Sequence, residues 1–238
     1  MKILFAVILL LSLLANAGAV WWITRLYVDG NASRLDPLQL AVYPDAPAKV
    51  PGKQRVVFFG DSRALSWPAP ALEGFEFVNR GIGQQTSAQI SLRFDQHVQP
   101  LHAEVLILQL CVNDLKTIPL FPERRDAIVM QCKQNLQAII AKARAAGSRV
   151  LLTTVFPLGN VPLERSPFWS GEVAVAILEV NQFITAQQAD GVDVLDTFSL
   201  LQGEPDLIRP EYSRDLLHLN ATAYQVLNKA LVGVLSGR

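Results

Sequence analysis

A surplus of charge of either sign is what this sequence most plainly lacks. Its 21 basic residues balance 21 acidic ones over 238 positions, so no strong field draws in nucleic acid, and no run of like charges marks a tail for a charged partner. Histidine occurs three times and cysteine twice. Neither H-E-x-x-H nor C-x-x-C is present, so no metal site and no cofactor is expected, and His97 and His102 are assigned to surface or helix-end positions. Internal repeats and low-complexity tracts are also missing. What remains, half hydrophobic and 18% charged, fits one globular domain with a sizeable core and a short appendage.

The appendage is residues 1–25. Ile3 to Thr24 carries no charge, and at about 1.5 Å per helical residue it reaches across a ~30 Å hydrocarbon core. Lys2, the apolar run to Leu14 and Ala15-Asn16-Ala17 match a secretory signal with a small-residue cleavage site. The continuation through Val20, Trp21, Trp22 and Ile23 favours an uncleaved membrane anchor, since tryptophan prefers the interface. Lys2 on one side and Arg25 and Arg34 on the other leave the orientation open, while the likeness to an export signal places the domain on the non-cytosolic side. Residues 26–51, with Pro37, Pro44, Pro47 and Pro51, read as a semi-rigid Pro-rich spacer.

From residue 52 to 238 short apolar runs alternate with longer amphipathic segments, the pattern of an α/β domain in three layers around a five-stranded parallel sheet. Strands are expected at Arg55 to Gly60, Phe75 to Arg80, Glu104 to Leu110, Arg149 to Phe156 and Val192 to Phe198. Helices are expected at Glu123 to Ala146, closed by Gly147, at Val173 to Gln188 and at Thr222 to Leu235.

Ligands of such sheets bind beyond the carboxyl ends of the strands, so the residues that leave each strand carry the chemistry. Gly60-Asp61-Ser62 follows the first strand and sets a hydroxyl where a helix begins, either as a nucleophile or as a simple cap. Asn79 to Thr86 follows the second; its Gly81 and Gly83 allow a tight turn, and Thr86 stands where a dinucleotide loop needs a third glycine. Cys111-Val112-Asn113-Asp114 follows the third and offers, in Asn113, an uncharged amide donor, with Asp114 read as a turn or cap residue. Asp215-Leu216-Leu217-His218 brings a carboxylate to an imidazole, which fixes the tautomer and frees the other ring nitrogen for proton transfer.

Taken in this order, the four segments resemble the blocks of the SGNH, or GDSL, hydrolase family, and the likeness covers nearly the whole domain. It implies a flavodoxin-like fold and an ester hydrolase with Ser62 as nucleophile, His218 as general base and acid and Asp215 as its orienting partner. It further implies an oxyanion hole formed by the Ser62 N–H, a backbone N–H at Gly83 or Gln84, and the Asn113 side chain. Two glycines of the family pattern are replaced, one by Gln84 and one by Cys111. Gln84 can still donate its N–H unless the site demands positive φ, and a Cys111 thiol would add bulk beside the acyl pocket. Cys111 and Cys132 can pair in an oxidising compartment or remain small buried hydrophobes. Hydrolysis of a lipid, glycan or small-molecule ester is the leading expectation. An O-acyltransferase acting on an envelope sugar or lipid and a non-catalytic binding domain are the alternatives. The segment Pro157 to Ser170, with Phe168 and Trp169, is placed at the pocket wall.

Overall fold

The computed structural model describes residues 1–203 and 206–237. Two compact units share the chain, Met1–Val42 and Tyr43–Arg238. The first is a single helix, α1 (Lys2–Leu35), followed by a turn in which the Asp36 carboxylate accepts the Leu40 and Ala41 N–H groups. None of the 34 helical residues is buried, and the helix is long and apolar enough to cross a membrane. The helix runs ten residues past the expected end of the appendage, and the second unit starts inside the segment read as spacer.

In the second unit the strands are β1 (Gln54–Gly60), β2 (Phe75–Gly81), β3 (Val105–Gln109), β4 (Arg149–Thr153) and β5 (Val192–Leu195). All pair in parallel, as the alternating pattern predicts, and their order is β2-β1-β3-β4-β5. Successive side chains point to opposite faces of a strand. Val57, Phe59, Leu106 and Leu108 therefore meet α6 (Arg125–Ala145) and α7 (Glu172–Thr185) through Leu136, Ile139, Ile177 and Val180. Val56, Phe58 and Ile107 meet Leu227 and Leu231 of α9 (Ala221–Ser236) on the other face. Gly147, at φ +84, closes α6 while its N–H reaches the Arg144 carbonyl and that of Ser148 reaches Ala143.

Short helices fill the strand exits: α2 (Ser62–Leu65), α3 (Ser87–Leu92), α4 (Phe94–His97), α5 (Val112–Leu115) and α8 (Thr197–Leu201). With four to six residues each, they are too short to show a helical period. The fifth strand ends three residues before its expected limit because the Asp196 carboxylate accepts the Ser199 N–H and starts α8, which takes Phe198 out of the sheet. His97 ends α4 as expected but is buried, whereas His102 is exposed.

The strand order reverses between β1 and β3, and there the backbones leave no room for a side chain. Gly60 pairs with Gly81 on one side and Gln109 on the other, and a Cβ on Gly60 would strike the Gln109 carbonyl. One on Gly81 would strike the backbone of Leu65 in α2. Gly60→Ala is thus expected to destabilise the fold by about 1–3 kcal/mol or more, and Gly81→Ala similarly, measured as a fall in the urea midpoint. A midpoint unchanged from the parent would show that this crossing is not tight.

Candidate active site

The turn that leaves β1 is built around Asp61. Its buried carboxylate accepts the Arg63 N–H at 2.8 Å and so takes the capping role at the start of α2. The Ser62 hydroxyl is thereby spared the cap and lies 2.9 Å from His218 Nε2. Burial pushes the Asp61 carboxyl up to about 6, against the pull of the neighbouring Arg63 charge and its N–H.

His218 sits in an irregular loop ahead of α9. The Asp215 carboxylate organises that loop by accepting the N–H groups of Leu217 and His218, each at 2.9 Å, and both of its oxygens lie 2.9 Å from His218 Nδ1. Burial works against ionisation of Asp215, but the Leu217 N–H, the His218 ring and the His218 N–H outweigh it and hold the carboxyl at about 2. A carboxylate at Nδ1 retains the ring proton there and leaves Nε2 as an acceptor facing Ser62.

The loop after β2 passes over the same turn. A Cβ on Gly83 would lie 3.9 Å from the Ser62 Cβ, which puts this residue against the turn that carries Ser62. Gln84 follows at φ +66 with its side chain exposed. Asn113 lies buried in α5, and its amide donates to the Gln85 carbonyl at 3.0 Å, leaving a second N–H for an incoming oxygen. Asp114 accepts the Ser87 N–H at 2.9 Å and its hydroxyl at 2.7 Å, so it links α5 to α3 rather than serving as a local cap. Cys111 is bonded to Cys132 of α6, with Cα atoms 5.9 Å apart, so no thiol stands beside the site.

The GDSL-like Lipase/Acylhydrolase family matches residues 27–226. The chain belongs to that family. It is accordingly an ester hydrolase of the acylhydrolase type. A GDSL-like lipase from Bacteroides thetaiotaomicron shares the fold of this GDSL-family enzyme with a TM-score of 0.65 at 19% identity, covering 86% of this chain and 97% of the other. The lipase/acylhydrolase from Enterococcus faecalis gives 0.58 at 19%, over 78% and 96%. A variant of an acetyl-xylooligosaccharide esterase from Geobacillus gives 0.56 at 16%, over 78% and 95%. No curated protein matches the sequence.

The two residues that replace family glycines, Gln84 and Cys111, both hold the left-handed backbone that glycine adopts freely, at φ +66 and +86. For any other residue this conformation costs roughly 1–2 kcal/mol, so the surrounding structure must enforce it. One cleft of this GDSL-family enzyme, about 540 Å³, is lined by Thr154, Leu178, Asn181, Asp196 and Phe198 and contains no residue of the four blocks. The convergence of a hydroxyl, an imidazole and amide donors outweighs volume as a guide, because ester cleavage needs such groups in one place. A second cleft, about 400 Å³, runs between Ile118, Pro119 and Pro122 after β3 and Pro167, Trp169 and Ser170 after β4. Trp169 packs toward the core there, while Phe168 is 63% exposed.

Sequence reasoning missed the buried arginines. Arg63 Nε donates to the Leu217 carbonyl at 2.7 Å, next to His218, and its guanidinium lies over the Phe156 ring. Arg93 makes a comparable set of bonds under the β2 loop. The signal available was a basic residue set directly between apolar ones, as in Leu92-Arg93-Phe94.

Burial raises the Asp61 carboxyl to about 6 in the fold, against an ordinary value of 3.8. A raised value means that stability is full below the unfolded value and falls as pH rises through the folded one. The unfolding free energy of the parent minus that of Asp61→Asn should therefore drop by about 3 kcal/mol between pH 3.5 and 7. A pH-independent difference in paired denaturant titrations would show that folding leaves the Asp61 carboxyl at its ordinary value.

Proposed function

We propose that Ser62, His218 and Asp215 carry out hydrolysis of a carboxylic ester through an acyl-enzyme. The observation that supports this is the hydrogen-bonded chain from Ser62 Oγ through both nitrogens of His218 to Asp215, each contact at 2.9 Å. Ser62 Oγ attacks the carbonyl carbon while its proton passes to His218 Nε2. The carbonyl π pair becomes an oxyanion, for which the Ser62 N–H, the Gly83 or Gln84 N–H and the Asn113 amide are the proposed donors. Collapse breaks the bond to the alcohol oxygen, which takes the proton from His218 as it leaves. Water then attacks the acyl-enzyme, His218 accepts its proton, and Ser62 Oγ departs with that proton as the carboxylic acid is released.

The family relatives named lipase and acetyl-xylooligosaccharide esterase frame the substrate class as a lipid or acylated sugar ester. The cleft beside Trp169 and Ile118 offers an apolar wall that suits either an acyl chain or a sugar ring. The α1 helix fits a membrane anchor, and the Cys111–Cys132 bond supports an oxidising, non-cytosolic location for the domain.

Ser62→Ala is expected to keep the unfolding midpoint and abolish cleavage of aryl esters and labelling by a fluorophosphonate. Turnover that survives in this variant would remove Ser62 from the reaction. Asn113→Ala should lower kcat by roughly 10²–10³ with a smaller change in KM, because its N–H matters when the oxyanion forms. A loss confined to KM would count against that role. Product analysis with added alcohol or sugar acceptors separates hydrolysis from acyl transfer.

A further inference from the structure

The chain between α1 and β1 does more than connect them. Tyr43 donates its hydroxyl to the Gly81 carbonyl at 2.7 Å, where β2 hands over to the loop that carries Gly83 and Gln84. The Arg80 guanidinium lies 4.6 Å from the centre of the Tyr43 ring, and Arg80 Nη2 donates to the Asp45 carbonyl at 2.7 Å. His97 packs edge-on against the same ring, its centre 5.5 Å away, and its carbonyl accepts Arg80 Nε at 3.2 Å.

Arg93 continues this network beneath the loop. Fully buried between α3 and α4, it donates from Nη2 to the Gly60 carbonyl and from Nη1 to the Arg80 carbonyl, each at 2.8 Å. Nε donates to the Gln85 side chain, Nη1 lies 3.3 Å from His97 Nδ1, and the guanidinium rests on the Phe59 ring. One cation thus ties the end of β1, two residues before Ser62, to the end of β2 and to Gln85. The Gln85 carbonyl in turn holds the Asn113 amide at 3.0 Å. A charged group buried among neutral partners is costly to desolvate, and three backbone segments converge on this one.

We propose that Tyr43, Arg80 and Arg93 form a brace that holds Gln84 in its left-handed conformation and Asn113 in place, which makes all three positioning residues of the oxyanion hole. The brace replaces what a glycine at position 84 achieves without support, and it makes residues 43–45 part of the catalytic apparatus. This inference rests on the reading of Gln84 and Asn113 as oxyanion donors.

The test uses the full chain in detergent with a soluble aryl ester, recording kcat, KM and the unfolding midpoint. Arg93→Lys should lower kcat by about 10–100-fold with KM within about threefold. Tyr43→Phe, which deletes one oxygen, should lower kcat about three- to tenfold. Adding Gln84→Gly to Arg93→Lys should recover at least part of the lost turnover, since glycine needs no brace. The proposal is overturned if both single variants shift the midpoint but leave kcat within twofold, or if Gln84→Gly restores nothing to a folded Arg93→Lys protein. Tyr43→Phe decides the matter alone should Arg93→Lys not fold. Failure of the underlying site reading looks different: Asn113→Ala would then retain full turnover.

Discussion

Everything at this site hangs on how closely three backbones approach at the end of β1. Gly60 has no room for a side chain because the Gln109 carbonyl occupies the place of a Cβ, and Gly81 is pressed against α2 in the same way. That closeness lets the chain turn at once from strand to helix and puts the Ser62 hydroxyl at the switch point of the sheet. The loops after β2 and β3 then fall within reach of the same spot. A parallel sheet supplies the arrangement at no further cost, since all its strands end on one side.

Such tightness has to be reconciled with groups that prefer water. Asp61 is buried and raised to about 6, while burial lowers Arg63 to about 10 and Arg93 to about 9. Arg63 bonds to backbone carbonyls on the side of the His218 loop, and Arg93 to two carbonyls and the side chains of Gln85 and His97 on the side of the Gln84 loop. The Ser62 turn is flanked by two rigid cations, and conformations that a glycine loop would sample freely are held by hydrogen bonds. The Cys111–Cys132 bond adds a covalent tie at the entry to α5, where the second left-handed residue stands.

The parallel sheet and the four blocks could be read from the sequence because each leaves a local mark. Buried strands show as short apolar runs, and acyl transfer admits few residue types at the strand exits. The fourth strand overran because Val155 and Phe156 are apolar after the chain has left the sheet, and the fifth because Phe198 follows Asp196 and Thr197. The pairing of Cys111 with Cys132 stayed open because sequence spacing does not report a distance in space. The left-handed turns at Gln84 and Cys111 were marked only by the family glycines that these residues replace, since neither residue itself announces positive φ. The roles of Tyr43, Arg63 and Arg93 were hidden for a related reason: their partners are mostly backbone carbonyls, which every residue has. The stretch from Tyr43 to Val50 looked like a spacer because its contacts lie with residues far along the chain, among them Gly81, Glu76 and Glu104.

A crystal structure of the full chain after reaction with an alkyl fluorophosphonate tests the central claim most directly. Phosphorus is expected on Ser62 Oγ, with the phosphoryl oxygen about 3 Å from the Asn113 amide and from the N–H of Gly83 or Gln84. Phosphorus on another residue, or a phosphoryl oxygen turned out to solvent away from these donors, would contradict it.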